Sequence, residues 1–363
     1  MTLDAEVVKN ILKDPEEAAR IADLIYISED KLNIERKKWG KGFIYQRNGE
    51  KISIPRELDR YKKLVIPPAW RDVRISRLEN GHLQVIGLDE KGRKQYKYHP
   101  VWTQLRNQTK FFKMTAFGKV LPKIRKQVEE DLDIKEMNQR KILALVIRLM
   151  EETHIRIGNE YYASNNKTYG LSTLRSKHVK TSKNKLKFEF VGKKGKEHSI
   201  TVTDKRLIKL VNQCEEIPGW ELFKFYNQDG HKKILDSSMV NEYIQELSGS
   251  SFTAKDFRTW AASKIFFETL YEIGYKEDEK ENAKAILSAI DYAAESLGNT
   301  RSVCRSYYIH PFILENYEKG NIQPYFKKIK VEDTVNHSSL SSSEKVMLRM
   351  ISDYEINLGQ ISI

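Results

Sequence analysis

The sequence predicts an α+β fold, in which a small β-rich N-terminal domain precedes a larger, mainly helical domain that carries a short β-hairpin. Three observations favour this class. Short alternating apolar runs with glycine-containing turns fill residues 26–98, apolar residues at helical spacing dominate from residue 101 onward, and one alternating stretch interrupts the helices at residues 185–202. Because the chain has 363 residues, of which 40% are hydrophobic, it is long enough for two domains with ordinary buried cores.

Residues 1–105 are assigned to the β-rich domain, which begins with a short amphipathic helix that the apolar spacing predicts within residues 7–22. The dipeptides Asn48-Gly49 and Asn80-Gly81 are typical of tight turns between strands. The strands predicted around such turns are Gly42–Tyr45, Val73–Ile75, Leu83–Ile86 and Tyr96–Tyr98.

Residues 106–326 are assigned to the helical domain. Apolar spacing predicts helices at Val101–Lys126, around Ile142–Leu149, from Lys205 onward, at Met239–Leu247, Thr259–Tyr275 and Lys280–Leu297, the last ending at Gly298. Leu186–Phe190 and Ile200–Val202 alternate in polarity on either side of a glycine-containing turn, which predicts the hairpin. Residues 327–363 are expected to form a polar linker and a short helix that starts at a Ser-x-x-Glu capping box at residues 341–344.

The balance of charge favours a polyanionic partner. The chain has 63 Lys and Arg residues against 50 Asp and Glu residues, a formal net charge of +13, so a nucleic acid is the simplest partner. The sequence contains neither a GxxxxGK[ST] loop nor a dense constellation of acidic residues or metal-ligand spacing. We therefore expect no nucleotide, no metal and no other cofactor.

The cysteine content and the N-terminal sequence indicate the cellular compartment of the protein. Cys214 and Cys304 are far apart, so no disulfide framework or CxxC metal site can form from neighbouring cysteines. The first 20 residues mix charged and short apolar side chains, unlike a secretory signal or a membrane span. We therefore expect a soluble, cytoplasmic, nucleoid-associated protein without a membrane partner.

Arg258 and Tyr308 are the most informative residues for chemistry. A guanidinium can hold a phosphate oxygen without losing its proton, while a phenol can attack phosphorus and leave again. This pair therefore indicates reversible phosphoryl transfer. Arg156, after the Ile142–Leu149 run, and Lys193, in the hairpin turn, complete a set of two arginines, a lysine and a tyrosine.

Four short segments carry these residues in a fixed order: Ile155–Gly158, Phe190–Lys193, Lys255–Thr259 and Tyr308–Pro311. A fifth segment, Tyr169–Val179, continues the pattern between the first two. Any one of them alone is weak, because most arginines, lysines and tyrosines are surface or packing residues. In combination and at this spacing they make the chain resemble the type IB DNA topoisomerases of the compact bacterial and poxvirus kind, over nearly its whole length.

The resemblance implies relaxation of supercoiled double-stranded DNA by transient cleavage of one strand, carried out by a monomer without ATP or metal. Tyr308 would form a 3′-phosphotyrosyl bond, while Arg156 and Arg258 would stabilise the five-coordinate phosphorus. Lys193 would protonate the departing 5′ oxygen. Asn299 takes the position where poxvirus relatives carry histidine and bacterial relatives carry asparagine, so a supporting hydrogen bond to phosphate is expected from its amide.

The same resemblance places DNA contacts in both domains, which would close around the duplex as a clamp. Cations and aromatics interleave at residues 91–98, and strand alternation puts Tyr96 and Tyr98 on one face. The residues expected to contact DNA are Arg93, Gln95, Tyr96, Tyr98, Tyr162 and Lys255.

Three alternatives stay open. Tyr307 adjoins Tyr308, and an alignment anchored on Arg305 selects it, although that alignment requires a gap. A tyrosine recombinase uses a related residue set, but it should have a helical N-terminal domain and a His-x-x-Arg box, where this chain has Lys255. A non-catalytic DNA-binding protein on the same scaffold would tolerate loss of Tyr308 or Arg258, and both are present.

Overall fold

The computed structural model describes residues 10–11, 13–330 and 336–356. Strands are concentrated in its N-terminal part and helices in the rest, so the predicted α+β class is confirmed. The described chain forms two compact units: the first contains the described residues up to Phe112 together with Glu355 and Ile356, and the second contains those from Lys113 to Tyr354.

Parts of three predicted segments lie outside the described residues. They are residues 7–9 and 12 of the leading helix, residues 331–335 of the linker and residues 357–363 at the C-terminal end. Within the described residues, the leading helix is present as α1 (Pro15–Ile21), and the side chain of Asp14 caps its first turn.

The N-terminal unit is built on one antiparallel sheet. Its strands are β1 (Ile34–Trp39), β2 (Gly42–Arg47), β3 (Glu50–Lys51), β4 (Arg71–Ile75), β5 (Leu83–Leu88) and β6 (Lys94–Tyr98). The six strands run in the order β3-β2-β1-β4-β5-β6, so β6 is an edge strand. Apolar side chains of the central strands, including Ile34, Ile75 and Val85, pack with Tyr61 of helix α2 (Pro55–Lys63).

Strand β1 and helix α2 are not among the predicted elements. The residues of β1 read Ile-Glu-Arg-Lys-Lys-Trp, and its charged side chains hide the alternation. Ile34 and Arg36 are nevertheless buried. The Arg36 guanidinium donates to the carbonyl oxygens of Ile66, Pro67 and Trp70 at 2.9–3.0 Å, which replaces the hydrogen bonds it loses to water.

The second unit is mainly helical, as predicted, and helix α3 (Pro100–Leu132) contains the boundary. The later helices are α4 (Gln139–Thr153), α5 (Glu160–Asn166), α6 (Lys205–Glu216), α7 (Ser237–Ser248), α8 (Ala254–Ile273), α9 (Glu279–Ser296), α10 (Arg301–Tyr307), α11 (Pro311–Glu318), α12 (Gln323–Phe326) and α13 (Ser342–Ile351). Helix α4 is buried on all sides from Lys141 to Met150, so it forms the centre of this unit.

The strands of the second unit are β7 (Val179–Ser182), β8 (Lys185–Val191), β9 (Glu197–Val202), β10 (Lys224–Tyr226) and β11 (Lys232–Ile234). The predicted hairpin is confirmed as β8 and β9, and β7 adds a third strand beside β8. Leu186, Phe188 and Phe190 are buried while the residues between them are more exposed, as the polarity pattern predicts. Strands β10 and β11 pair separately.

Helix α13 begins at the predicted capping box, in which Ser341 and Glu344 each accept a hydrogen bond from the other's backbone N–H. The Glu344 carboxylate is almost fully buried. It accepts hydrogen bonds from Arg125 and from the Trp260 indole, both at 2.8 Å, which holds α13 against α8.

Candidate active site

Four of the five residues predicted to be catalytic come together in the second unit. They arrive from separate elements: Arg156 from the segment after α4, Arg258 from α8, Asn299 from the segment between α9 and α10, and Tyr308 from the end of α10. We call these four residues the arginine pocket.

Arg156 lies in an irregular segment between α4 and α5, and the chain around Gly170 holds this segment. The Leu171 N–H donates to the Arg156 carbonyl at 2.8 Å. The two stretches approach so closely that a Cβ on Gly170 would lie 2.4 Å from that carbonyl oxygen, and Gly158 has a φ of +96°. Both positions therefore require glycine, and the close contact fixes the backbone from which the Arg156 side chain extends.

Arg258 is 6% exposed and is held by two helix ends. Its Nη1 donates to the carbonyl of His154, the C-cap of α4, and its Nη2 donates at 2.8 Å to the carbonyl of Leu297, the C-cap of α9. The carboxyl ends of helices carry partial negative charge, which stabilises a cation. The Arg258 Nε is buried without a hydrogen-bond partner among the described residues.

Asn299 is oriented by Arg156. Its Oδ1 accepts a hydrogen bond of 2.5 Å from Arg156 Nη2, and because a guanidinium only donates, this bond assigns the oxygen of the amide to that side. The Nδ2 group is buried and finds no partner within the described part of the chain. The amide therefore offers a free donor inside the pocket.

Tyr308 follows directly after helix α10, and its backbone is anchored. Its N–H donates to the Cys304 carbonyl at 2.9 Å, and its own carbonyl accepts from the Ser263 hydroxyl at 3.0 Å. The Arg258 Cζ lies 5.7 Å from the centroid of the half-buried Tyr308 ring. The neighbouring Tyr307 is 48% exposed.

The arginine pocket carries positive charge that the protein does not neutralise. Among the described residues, neither Arg156 nor Arg258 has a carboxylate within ion-pair distance, and carbonyl or amide oxygens are their partners. Burial lowers the pKa of both guanidinium groups, and for Arg258 the charge of Arg156 lowers the pKa further. Two partly desolvated cations side by side favour the binding of an anion.

Lys193 is in a different environment. It lies at the start of the β8–β9 turn, its side chain is exposed, and its ammonium makes no hydrogen bond or ion pair with any described residue. The structure thus places Lys193 in the predicted turn but does not show it in contact with the arginine pocket.

The predicted DNA contacts of the N-terminal unit lie on the edge strand β6 and just before it. Tyr96 and Tyr98 are 40% and 43% exposed, and their rings stack at 6.0 Å with an interplanar angle of 11°. They share one exposed face, as the alternation predicts.

Acidic residues that the sequence did not single out pair with this strand. The Asp89 carboxylate accepts from Arg93 Nε at 2.7 Å and from Gln95 Nε2 at 3.0 Å. The Glu29 carboxylate accepts from the Tyr96 hydroxyl at 3.0 Å. Arg93, Gln95 and Tyr96 are therefore oriented by carboxylates, which an incoming polyanion would have to replace as partners.

The two predicted DNA contacts of the second unit are also accessible. Tyr162 is on α5, 43% exposed, with its ring edge-on to that of Tyr161 at 5.6 Å. Lys255 is exposed in the first turn of α8. Both side chains are thus free to meet a ligand from solvent.

Two residues around the arginine pocket, Ser263 and His198, were not predicted from the sequence. Ser263 is fully buried and joins Tyr308 to the rest of α8, and it also accepts from the His310 N–H at 2.9 Å. His198 on β9 lies near the pocket, where burial and the charge of Arg156 lower its pKa to about 4. Neither has a local sequence signal, because the contacts that place them at the pocket are with residues distant in the chain: Tyr308 for Ser263 and Gly298 for His198.

Within the described residues, no group of three or more His, Cys, Asp or Glu side chains is arranged to hold a metal ion. No helix in the same part of the chain is both long and apolar enough to cross a membrane.

Two family models match the sequence. One describes the catalytic core of eukaryotic DNA topoisomerase I and matches residues 99–334. The other describes the N-terminal domain of bacterial DNA topoisomerase IB and matches residues 42–89. The first match spans more than half of the chain and contains the arginine pocket and Lys193, and the second falls in the six-stranded sheet.

Individual proteins that are similar to this chain are also named as DNA topoisomerases. DNA topoisomerase 1B of Acanthamoeba polyphaga mimivirus is 34% identical over 312 residues, which are 84% of this chain and 92% of that protein. DNA topoisomerase 1B of Vaccinia virus (strain Copenhagen) is 25% identical over 250 residues, 68% of this chain and 76% of the viral protein. DNA topoisomerase 1 of Drosophila melanogaster is 29% identical over 168 residues, which are 44% of this chain and 16% of the fly protein.

Proposed function

The chain belongs to the type IB DNA topoisomerases, a family of isomerases, and we propose that it relaxes supercoiled double-stranded DNA by cutting and rejoining one strand through Tyr308. The observation that carries this proposal is the pair of buried donors without partners, Arg258 Nε and Asn299 Nδ2, in a pocket with two unneutralised guanidinium groups. A buried donor left unpaired costs about 1–3 kcal/mol. A phosphate diester would supply acceptors for both donors.

Tyr308 is the nucleophile in this proposal. Its phenol oxygen forms a bond to the phosphorus of one backbone diester, the phenolic proton passes to water, and the bond to the 5′ oxygen of the next nucleotide breaks. The cut strand is then joined to the protein by a 3′-phosphotyrosyl bond. The position of the Tyr308 ring beside Arg258, and the exposure of Tyr307, favour Tyr308 over its neighbour.

Arg156, Arg258 and Asn299 stabilise the transition state. Negative charge accumulates on the equatorial oxygens as phosphorus becomes five-coordinate, and donors held in place beforehand interact with it without reorganising. The carbonyls of two helix ends, those of His154 and Leu297, hold the Arg258 guanidinium in position before DNA binds.

Lys193 protonates the departing 5′ oxygen, since an alkoxide is a poor leaving group. Rejoining reverses these steps: the 5′ hydroxyl attacks phosphorus and the phenol leaves. ATP is not needed in this scheme, because the phosphotyrosyl bond retains the energy of the broken diester, and the guanidinium groups supply the positive charge that a metal ion supplies elsewhere.

The substrate in this proposal is duplex DNA bound by a monomer, since one chain contains all five proposed catalytic residues. The net charge of +13 favours binding to a polyanion, and the exposed stacked rings of Tyr96 and Tyr98 offer a surface for groove or base contacts. A recombinase is disfavoured, because its N-terminal domain should be helical and this chain has a six-stranded sheet there.

The proposal is tested by plasmid relaxation with excess chelator and no ATP, on both negatively and positively supercoiled DNA. We expect the unaltered protein to relax both. Tyr308→Phe should abolish relaxation while DNA binding persists, and Tyr307→Phe, the matched control, should relax normally. Normal relaxation by Tyr308→Phe would reject the assigned nucleophile, and a requirement for ATP or metal would reject the scheme.

A further inference from the structure

The imidazole of His198 occupies the space between the turn that carries Lys193 and the segment that carries Asn299. His198 is on β9, directly opposite Phe190 of β8 in the strand register. The two rings stack at 4.9 Å with an interplanar angle of 13°. The imidazole plane is therefore set by the hairpin itself.

Two glycines show how tightly this ring is enclosed. A Cβ on Gly192 would lie 2.6 Å from the His198 Nε2, and a Cβ on Gly298 would lie 2.5 Å from its Cε1. Side chains do not approach so closely, so the ring touches the bare backbone at both places. Gly192 directly precedes Lys193, and Gly298 directly precedes Asn299.

The ring is held uncharged in this position. Burial, and then the charges of Arg156, Lys196 and Arg258, lower the pKa of His198 to about 4. A neutral ring adds no third positive charge beside the two arginines. Its contribution here is therefore steric packing between the two backbone segments.

We propose that His198 is a positioning residue, which holds the Lys193 turn at a fixed distance from the Asn299 segment and so places the Lys193 ammonium at the departing 5′ oxygen. This inference rests on the proposed function. It explains how an exposed lysine reaches the same phosphate as a buried pocket: the ring joins the turn to the pocket wall.

The test compares two suicide substrates in single-turnover cleavage, one with the natural 5′-bridging oxygen and one with a 5′-bridging sulfur. A thiolate leaves without a proton, so the sulfur substrate does not need a general acid. The variants are His198→Ala, which removes the ring, His198→Phe, which keeps a flat ring without nitrogen, and Lys193→Ala, which removes the ammonium.

We expect His198→Ala to cleave the oxygen substrate about 10- to 100-fold more slowly, with near-normal rates on the sulfur substrate, because loss of general acid catalysis costs about 10²–10⁴-fold and misplacement costs part of it. Lys193→Ala should show the same pattern with a larger effect. His198→Phe should restore most of the rate, and the double variant His198→Ala with Lys193→Ala should be no slower than Lys193→Ala alone.

Several outcomes would overturn the inference. If His198→Ala slows both substrates equally, the ring supports the arginine pocket or the fold and not Lys193. If His198→Phe is as slow as His198→Ala on the oxygen substrate, with both near normal on the sulfur substrate, a ring nitrogen takes part in the chemistry. The positioning role of the ring would then be wrong. If sulfur rescues His198→Ala but not Lys193→Ala, the general-acid role of Lys193 fails, and with it the inference.

Discussion

The arginine pocket and the Lys193 turn differ in almost every physical respect. Arg258 is buried, and helix-end carbonyls hold it in place, while Arg156 is held by the amide of Asn299. Lys193 is exposed, and its ammonium has no partner among the described residues. The arginine pocket is therefore organised before DNA binds, whereas in the other region the His198 ring packs against the backbone of the turn and the Lys193 side chain itself is not held.

This difference matches the chemical role proposed for each region, which is charge stabilisation by the arginines and proton donation by Lys193. A guanidinium keeps its proton throughout and acts by its fixed charge, so it is most effective when its position is set in advance. An ammonium that gives away a proton must approach an oxygen that moves as its bond breaks, and a side chain on a turn can follow it.

Among substitutions in the arginine pocket that keep Tyr308, the largest effect is expected from Arg258→Ala, which removes one of the two fixed charges. By analogy with arginines that stabilise phosphoryl transfer, single-turnover cleavage of a suicide substrate should fall about 10³-fold. The control is thermal unfolding, because the variant also leaves the carbonyls of His154 and Leu297 without their donor. A folded variant that cleaves within tenfold of the unaltered protein would contradict the role given to the pocket.

A smaller effect is expected from Asn299→Asp, which has the same shape as the native residue. The new carboxylate would still accept from Arg156, but it would neutralise that charge and offer no donor to phosphate. We expect cleavage to slow about 100-fold, compared with about tenfold for Asn299→Ala, which removes the neutral donor and the acceptor of Arg156 but leaves the charge of Arg156 unneutralised. Equal rates for the two variants would indicate that the charge of Arg156 does not matter.

The smallest effect concerns acid stability near the pocket. Burial, and then the charge of Arg258, lower the pKa of His154 to about 4 in the folded protein, below its ordinary value of 6.5. The unfolded chain therefore takes up a proton first as pH falls, so this contribution to stability is complete above pH 6.5 and is lost between pH 6.5 and 4.

His154→Asn should reduce this acid sensitivity by about 2 kcal/mol in the free energy of unfolding between pH 7 and pH 4.5. Asparagine suits the left-handed backbone of this C-cap, where φ is 54°, and it does not titrate. Denaturant unfolding at pH 7 and at pH 4.5 measures the effect. If both proteins lose the same stability between these pH values, His154 is not the source of the sensitivity.

The sequence identified most residues of the candidate site, but it did not identify the groups that hold them. Arg156, Lys193, Arg258 and Tyr308 follow from ordered local motifs, since chemistry demands particular residue types. Their supports do not. The carbonyl of Leu297 that holds Arg258 comes from a distant part of the chain, and any residue has a carbonyl. The ring of His198 is close to Lys193 in sequence, but only the fold brings it against Gly298.

Prediction of the fold from the sequence was limited in the same way: local patterns were recognised, but contacts between distant residues were not. Strands with a clean alternation, such as the one predicted at Leu186–Phe190, were predicted from polarity. Strand β1 was missed, because Arg36 is buried against the carbonyls of a loop and reads as a surface residue in the sequence. The choice between Tyr307 and Tyr308 likewise depends on where α10 ends, which spacing alone could not decide.

The most direct measurement is to identify the amino acid that becomes joined to DNA. The protein is trapped on a suicide substrate, the complex is digested with protease and nuclease, and the modified peptide is sequenced by mass spectrometry. We predict a nucleotide attached through its 3′ phosphate to Tyr308. Attachment to Tyr307 or to any other residue, linkage through a 5′ phosphate, or the absence of a covalent adduct from active protein would contradict the proposed mechanism.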